Sequence, residues 1–328
     1  TFIQQDHCTF LSSSEVWLCA LSTVWRSRPA TPIKVGISSC LLGEEVRYNG
    51  GHKHSPLCTS ELGRYFEFVP TCPEAGAGLG IPRPPIRLVG APAAPRAVRI
   101  KDPAVDVTDS LQTYSEQRIP QLQDLCGYIF IKNSPSCGLF RVKVYQENGH
   151  PHIEPGRGIF AAALTSAMPL LPVEEDGRLQ DPVLRENFIT RVFAWHNWRQ
   201  LQQQGITAAG LIDFHSRYKY TLMAHNPQQY QLLGRMLADA GRHDAVELGE
   251  RYFAALIQAL QQKATRNTNT NVLMHLQGYL KLHLDKREKQ SLVEVIEQYR
   301  KGIIPLVVPL TMLRHQFHRF PDPYIQRQ

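Results

Sequence analysis

No run in this chain approaches the ~20 apolar residues that a membrane-spanning helix needs. It has no Cys-x-x-Cys pair, which removes the dithiol redox motif and the local zinc knuckle. Seven cysteines in 328 residues are too few, and odd in number, for a disulfide scaffold, so a reducing, cytoplasmic setting is expected. Internal repeats and low-complexity tracts are absent, which excludes solenoids and long solvating tails. No basic segment precedes the short apolar patch at 16–20, so the start does not read as a signal peptide. Residues 1–30 read instead as a poorly ordered extension, and Cys8 and Cys19 are not expected to be ligands.

What the chain does have is three cysteines in unusual frames. Cys40 lies in VGISSCLLG (35–43), Cys72 in PTCPE (70–74) and Cys137 in NSPSCG (133–138). Each follows a short β-branched or aromatic run that reads as a buried strand: 33–40, 65–70 and 127–132. A helix is expected between them over 110–126, capped by Asp109 or Ser110. Strands alternating with helices predict a parallel, Rossmann-like α/β sheet, in which ligands bind beyond the carboxyl ends of the strands. Three thiolates brought to one such edge are soft ligands, one short of a closed site, and an open position binds substrate. Iron–sulfur, copper(I) and zinc all remain open from the residues alone, zinc needing closure by His52 or His54. Cys58 and Cys126 lack the strand-end frame and read as core.

The Gly- and Pro-rich stretches 74–85 and 91–103 read as loops, and 171–182, with its acidic EEDG, as an interdomain linker. A chain of this length suggests two domains, at 31–170 and 183–328. The second reads as mainly α-helical, because apolar residues recur at three and four: Phe188, Val192 and Phe193; Leu248, Tyr252, Phe253, Leu256 and Leu260. Residues 171–328 carry 20 Lys+Arg against 15 Asp+Glu, and residues 1–170 carry 16 against 14. That surplus suits an anionic partner.

The segments VGISSCLLGEEVRYNGGHK (35–53), VPTCPEAGAGLGIPRPP (69–85), DVT (106–108) and IKNSPSCG (131–138) together resemble the TudS-type thiouracil desulfidase family. FHSRYKYTLMAHNPQQYQLLGR (214–235), ATRNTNTNVLMHLQGYLK (264–281) and YRKGIIPLVVPLTMLRH (299–315) resemble the helical domain of YbgA-type proteins. The combination is similar to RudS-type desulfidases, which act on 4-thiouridine in tRNA. The resemblance implies that Cys40, Cys72 and Cys137 hold a 4Fe–4S cluster with one iron not ligated by protein. It also implies that Glu74 is the acid–base residue, that Ser134 assists at the reacting carbon, and that tRNA is the partner. Arg47, His52 and Lys53 flank the first cysteine as expected substrate contacts, and Lys132 is placed to hold a phosphate or pair with Glu74. Arg217, Lys219 and Arg266 are the expected RNA contacts of the helical half. A free thiouracil base or thiouridine monophosphate is the alternative substrate. A non-catalytic cluster-bearing sensor or RNA-binding protein is the alternative function.

Overall fold

The alternation of polar and apolar residues is missing from the first strand of the protein, and the sheet topology explains why. A computed structural model describes residues 32–328; the extension read over residues 1–30 lies outside them. In strand β1 (Ile33–Ser38) every residue but Lys34 is buried, as a parallel strand covered on both faces requires. The elements that follow in the first half are β2 (Phe66–Thr71), the single helical turn α1 (Pro73–Gly76), β3 (Ile86–Val89), β4 (Arg96–Arg99), α2 (Thr108–Arg118), β5 (Gly127–Phe130), β6 (Val144–Tyr145), α3 (Ile159–Ala167), β7 (Val173–Glu175) and α4 (Pro182–Gln204). The main sheet runs β2-β1-β5-β7, with every neighbouring pair parallel. A second sheet, β4-β3-β6, pairs β3 antiparallel to β4 and parallel to β6.

Side chains of β5 alternate between two covers. Gly127 faces α4, where a Cβ would come within 2.7 Å of the Val192 side chain and 3.3 Å of Phe188. Tyr128 faces the other way, its ring 5.9 Å from that of Phe160 on α3. Phe193 adds a ring 6.0 Å from Phe66 of β2.

Three local expectations are corrected. The helix expected over 110–126 ends at Arg118 and passes into a tight turn over Ile119–Leu122, because Pro120 has no amide hydrogen with which to extend it. Its start is set by Asp106, whose carboxylate accepts the Thr108 amide at 2.9 Å, rather than by Asp109 or Ser110. The loop expected over 91–103 contains β4, and the linker expected over 171–182 contains β7, an edge of the main sheet.

The residues up to Asn197 form one compact unit and those from Trp198 another, so the division falls inside α4. Beyond it come α5 (Ala208–Arg217), α6 (Lys219–His225), α7 (Pro227–Ala238), α8 (Ala245–Gln261), α9 (Arg266–Tyr279), α10 (Lys286–Arg300) and α11 (Val307–Arg319), with no strand among the described residues. Thr207, Asn226, Asp244, Thr265 and Asp285 cap α5, α7, α8, α9 and α10 by accepting first-turn amides. Trp198 stacks on Phe253 with ring centroids 4.6 Å apart, inside a core that includes Leu211, Phe214 and Tyr252. No described helix is long and apolar enough to cross a membrane.

Candidate active site

The three cysteines follow three adjacent parallel strands. β1 lies between β2 and β5, and their carboxyl ends lead to Cys40, Cys72 and Cys137. All three line one cavity of about 440 Å³, together with Glu74, Ser134, Arg47, Lys53 and Lys132. That is the volume range of a small-molecule site. His52 does not line it; the residue is exposed, and its Nδ1 accepts the His54 amide at 3.2 Å. Cys58 and Cys126 are buried and also lie outside the cavity lining.

Short-range bonds hold the three loops in place. Ser38 at the end of β1 accepts the Ile131 amide at 3.1 Å, joining the first and third cysteine loops. The Cys40 carbonyl accepts the Lys53 amide at 2.9 Å and closes the loop that carries Arg47. Ser134 Oγ accepts the Cys137 amide at 3.0 Å. Gly158 sits directly behind: a Cβ there would lie 2.5 Å from the Ser136 carbonyl carbon, so only glycine allows α3 to start against this loop. Glu175 of β7 accepts the amides of Leu139 and Phe140 at 3.0 and 2.9 Å, anchoring the chain just beyond Cys137.

Burial, and then the neighbouring Cys72, push the Cys40 thiol up to about 11. Burial raises Cys72 as well, and burial together with Cys72 raises Cys137. Three thiols that are costly to ionise here, each coupled to another, need a cationic centre to become thiolates. Two hydroxyls at this end of the site point the same way. Thr71 Oγ1 and Tyr128 OH are buried neighbours, and neither has a well-formed hydrogen bond, so both have a proton to offer an acceptor between the cysteines. Among the described residues no three His, Cys, Asp or Glu converge at single-ion spacing. One zinc would bring three sulfurs to about 3.8 Å from each other, given Zn–S bonds of roughly 2.3 Å. The donor set is therefore spread for a group larger than one ion, and a cluster fits it.

Glu74 is held on both oxygens. Arg83 Nε donates to Oε2 at 2.7 Å, and Ser136 Oγ donates to Oε1 at 2.7 Å. Lys132, the partner considered from sequence, instead has its amide directed at Asp176. Sequence reasoning missed Arg83, Ser136, Ser38, Thr71 and Glu175. The one available cue for Arg83 was a lone charge in the otherwise apolar GIPRPP.

The family comparisons agree with this geometry. Residues 35–176 match the family model described as 2-thiouracil desulfurase, and residues 219–328 match that described as protein of unknown function DUF1722. Uncharacterized protein YbgA of Escherichia coli (strain K12) is 35% identical over 144 residues, which is 44% of this chain and 85% of that protein. The chain belongs to the YbgA family. Its first unit is a 2-thiouracil desulfurase domain. A solved structure, the 4Fe-4S-dependent thiouracil desulfidase TudS, is 28% identical, with a TM-score of 0.37 over 45% of this chain and 94% of that one.

In this YbgA-family chain the three cations expected to meet RNA lie in the second unit. Arg217 pairs with Asp213 at 3.2 Å, and Lys219 sits 5.1 Å above the Tyr220 ring. Arg266 donates to the Tyr299 carbonyl at 2.6 Å, satisfying a C-terminal carbonyl of α10, and covers the Tyr299 ring. Phe214, Tyr218 and Tyr220, read as base-stacking partners of these cations, are buried in the core instead.

Proposed function

We propose that this protein hydrolyses the C=S bond of a thiouracil base to C=O with release of sulfide, its substrate being 4-thiouridine in tRNA. The observation that carries the reading is the convergence of three buried thiols, a fixed carboxylate and three cations on one cavity in a desulfurase domain. Cys40, Cys72 and Cys137 would hold a 4Fe–4S cluster, leaving its fourth iron without a protein ligand. When bound, that group supplies a soft Lewis acid suited to a thione sulfur. Glu74 takes a proton from the attacking water, the general-base work that makes water a competent nucleophile. Arg83 fixes the carboxylate from behind, so no reorganisation is needed when the charge moves. Arg47, Lys53 and Lys132 hold the substrate phosphate at the cavity wall.

A free thiouridine monophosphate is the second reading. It is favoured by the nucleotide-sized cavity and by the buried state of Phe214, Tyr218 and Tyr220. Sulfide release from thiolated tRNA and from 4-thiouridine monophosphate, measured side by side on anaerobically purified protein, decides between the two. A higher kcat/KM on tRNA is expected. A higher value on the monophosphate transfers the assignment to the small nucleotide, and no sulfide from either removes the desulfidase reading.

A further inference from the structure

Ser136 joins the two residues assigned to the chemistry. Its hydroxyl lies 3.0 Å from Ser134 Oγ and 2.7 Å from Glu74 Oε1, and the residue is 1% exposed. The directions of the bonds follow from counting hydrogens. A serine hydroxyl has one proton to give, and the carboxylate can only accept. Ser136 gives its proton to Glu74, so in the contact with Ser134 it must accept, and Ser134 must donate. The alternative recipient, Cys137 Sγ at 3.8 Å, is a poorer acceptor at a longer distance. Ser134 Oγ is oriented for donation by the Cys137 amide at 3.0 Å and the Ser136 amide at 3.3 Å, both of which it accepts. The result is a one-way chain, Ser134 to Ser136 to Glu74, ending on a carboxylate whose other oxygen is held by Arg83.

We propose that Ser136 is a proton relay through which Glu74 acts at Ser134, so that the three residues work as one base. A water at the cavity end of the chain hands one proton to Ser134 as Ser134 hands its own to Ser136 and Ser136 its own to Glu74. Each serine breaks one O–H bond and forms one. Glu74 ends protonated, and the oxygen of the water forms the new C–O bond at the thione carbon. Glu74 then delivers the proton back along the chain or to the departing sulfide. This rests on the hydrolytic reading above. Ser136 is a positioning residue here, since it touches Glu74 and Ser134 and not the reacting carbon.

The test uses the full-length protein and three variants, Ser136→Ala, Ser134→Ala and the double variant, with iron content and cluster absorption measured on each. Iron content should match the wild type in all of them, and loss of iron in Ser136→Ala would make Ser136 structural and overturn the relay. Each single variant should lower kcat by on the order of 10²-fold with KM little changed, and the double variant should lose no more than either single. Additive losses overturn the relay. The second readout needs no turnover. In infrared difference spectra against Glu74→Gln, the Glu74 carboxylate band should shift when Ser136→Ala removes the donor to Oε1, and an unshifted band overturns the proposal. If wild-type protein releases no sulfide, the desulfidase reading fails while this infrared comparison still decides the hydrogen-bond chain.

Discussion

Arg83 and Glu74 form an ion pair at 2.7 Å with only 4% and 11% of their side chains exposed. The guanidinium also donates to the Gly80 carbonyl at 2.9 Å and the Val46 carbonyl at 3.0 Å. Val46 belongs to the loop after Cys40 and Glu74 to the turn after Cys72, so a single planar fork ties two of the three cysteine loops together.

Replacing Arg83 therefore leaves a buried carboxylate without its counter-charge and two carbonyls without a donor. Arg83→Met should cost roughly 3–5 kcal/mol in chemical denaturation, the range for breaking one side of a buried pair. A loss below about 1 kcal/mol would mean that Glu74 is paired or solvated in some other way.

Cys40→Ala, Cys72→Ala and Cys137→Ala should each abolish iron binding in anaerobically purified protein, whereas Cys58→Ala and Cys126→Ala should retain it. The first three line the cavity and the other two are core residues away from it. Iron and acid-labile sulfide analysis reads the result directly. Loss of iron in Cys58→Ala alone would refute the ligand assignment.

Glu74→Gln should keep its iron, because the amide oxygen still accepts from Arg83 or Ser136. Turnover should fall by ~10²-fold or more, since an amide cannot take the proton of a water. Wild-type rates of sulfide release in this variant would remove Glu74 from the chemistry.

Burial pushes the carboxyl of Glu186 on α4 from its ordinary value near 4.5 up to about 6. The protonated form is then the one the folded state prefers. The stability this contributes is present below pH 4.5 and is lost as the pH rises through 6. At pH 8 the ionised carboxylate costs about 2 kcal/mol, at 1.36 kcal/mol per pKa unit. Glu186→Gln should raise Tm at pH 8 and leave it nearly unchanged at pH 4. Equal Tm values for the two proteins at pH 8 would show that Glu186 is solvated.

A fragment ending at residue 170 should be insoluble, because it lacks β7 and the Phe188, Val192 and Phe193 cover of β5 and β2. A fragment ending at Asn197 keeps both and should stay soluble and hold iron. Size-exclusion chromatography of the two separates these outcomes. A soluble, iron-loaded fragment ending at 170 would show that the edge strand and helix are dispensable.

Read from residues alone, the chain already announced its cysteine trio and its two-part character. β-Branched runs ending in small or Pro-flanked residues are local signals, and they marked β1, β2 and β5 and the three cysteines that follow them. Apolar spacing of three and four marked the helices of the second unit, because one buried face is a property of each helix by itself. What only the tertiary structure decided depends on segments far apart in the chain. Glu175 reads as part of an acidic linker because a three-residue edge strand carries no period, yet it anchors the loop after Cys137 from 35 and 36 residues away. Phe214, Tyr218 and Tyr220 alternate with cations in sequence, and the helices packed around them make them core. Arg83 lies in an irregular loop with no periodic cue to aim its side chain, and Ser136 finds its acceptor on another loop 62 residues away. Hydrogen-bond partners of irregular loops are chosen by chain closure in three dimensions, so the residues that hold and connect the catalytic carboxylate became visible only once the loops were brought together.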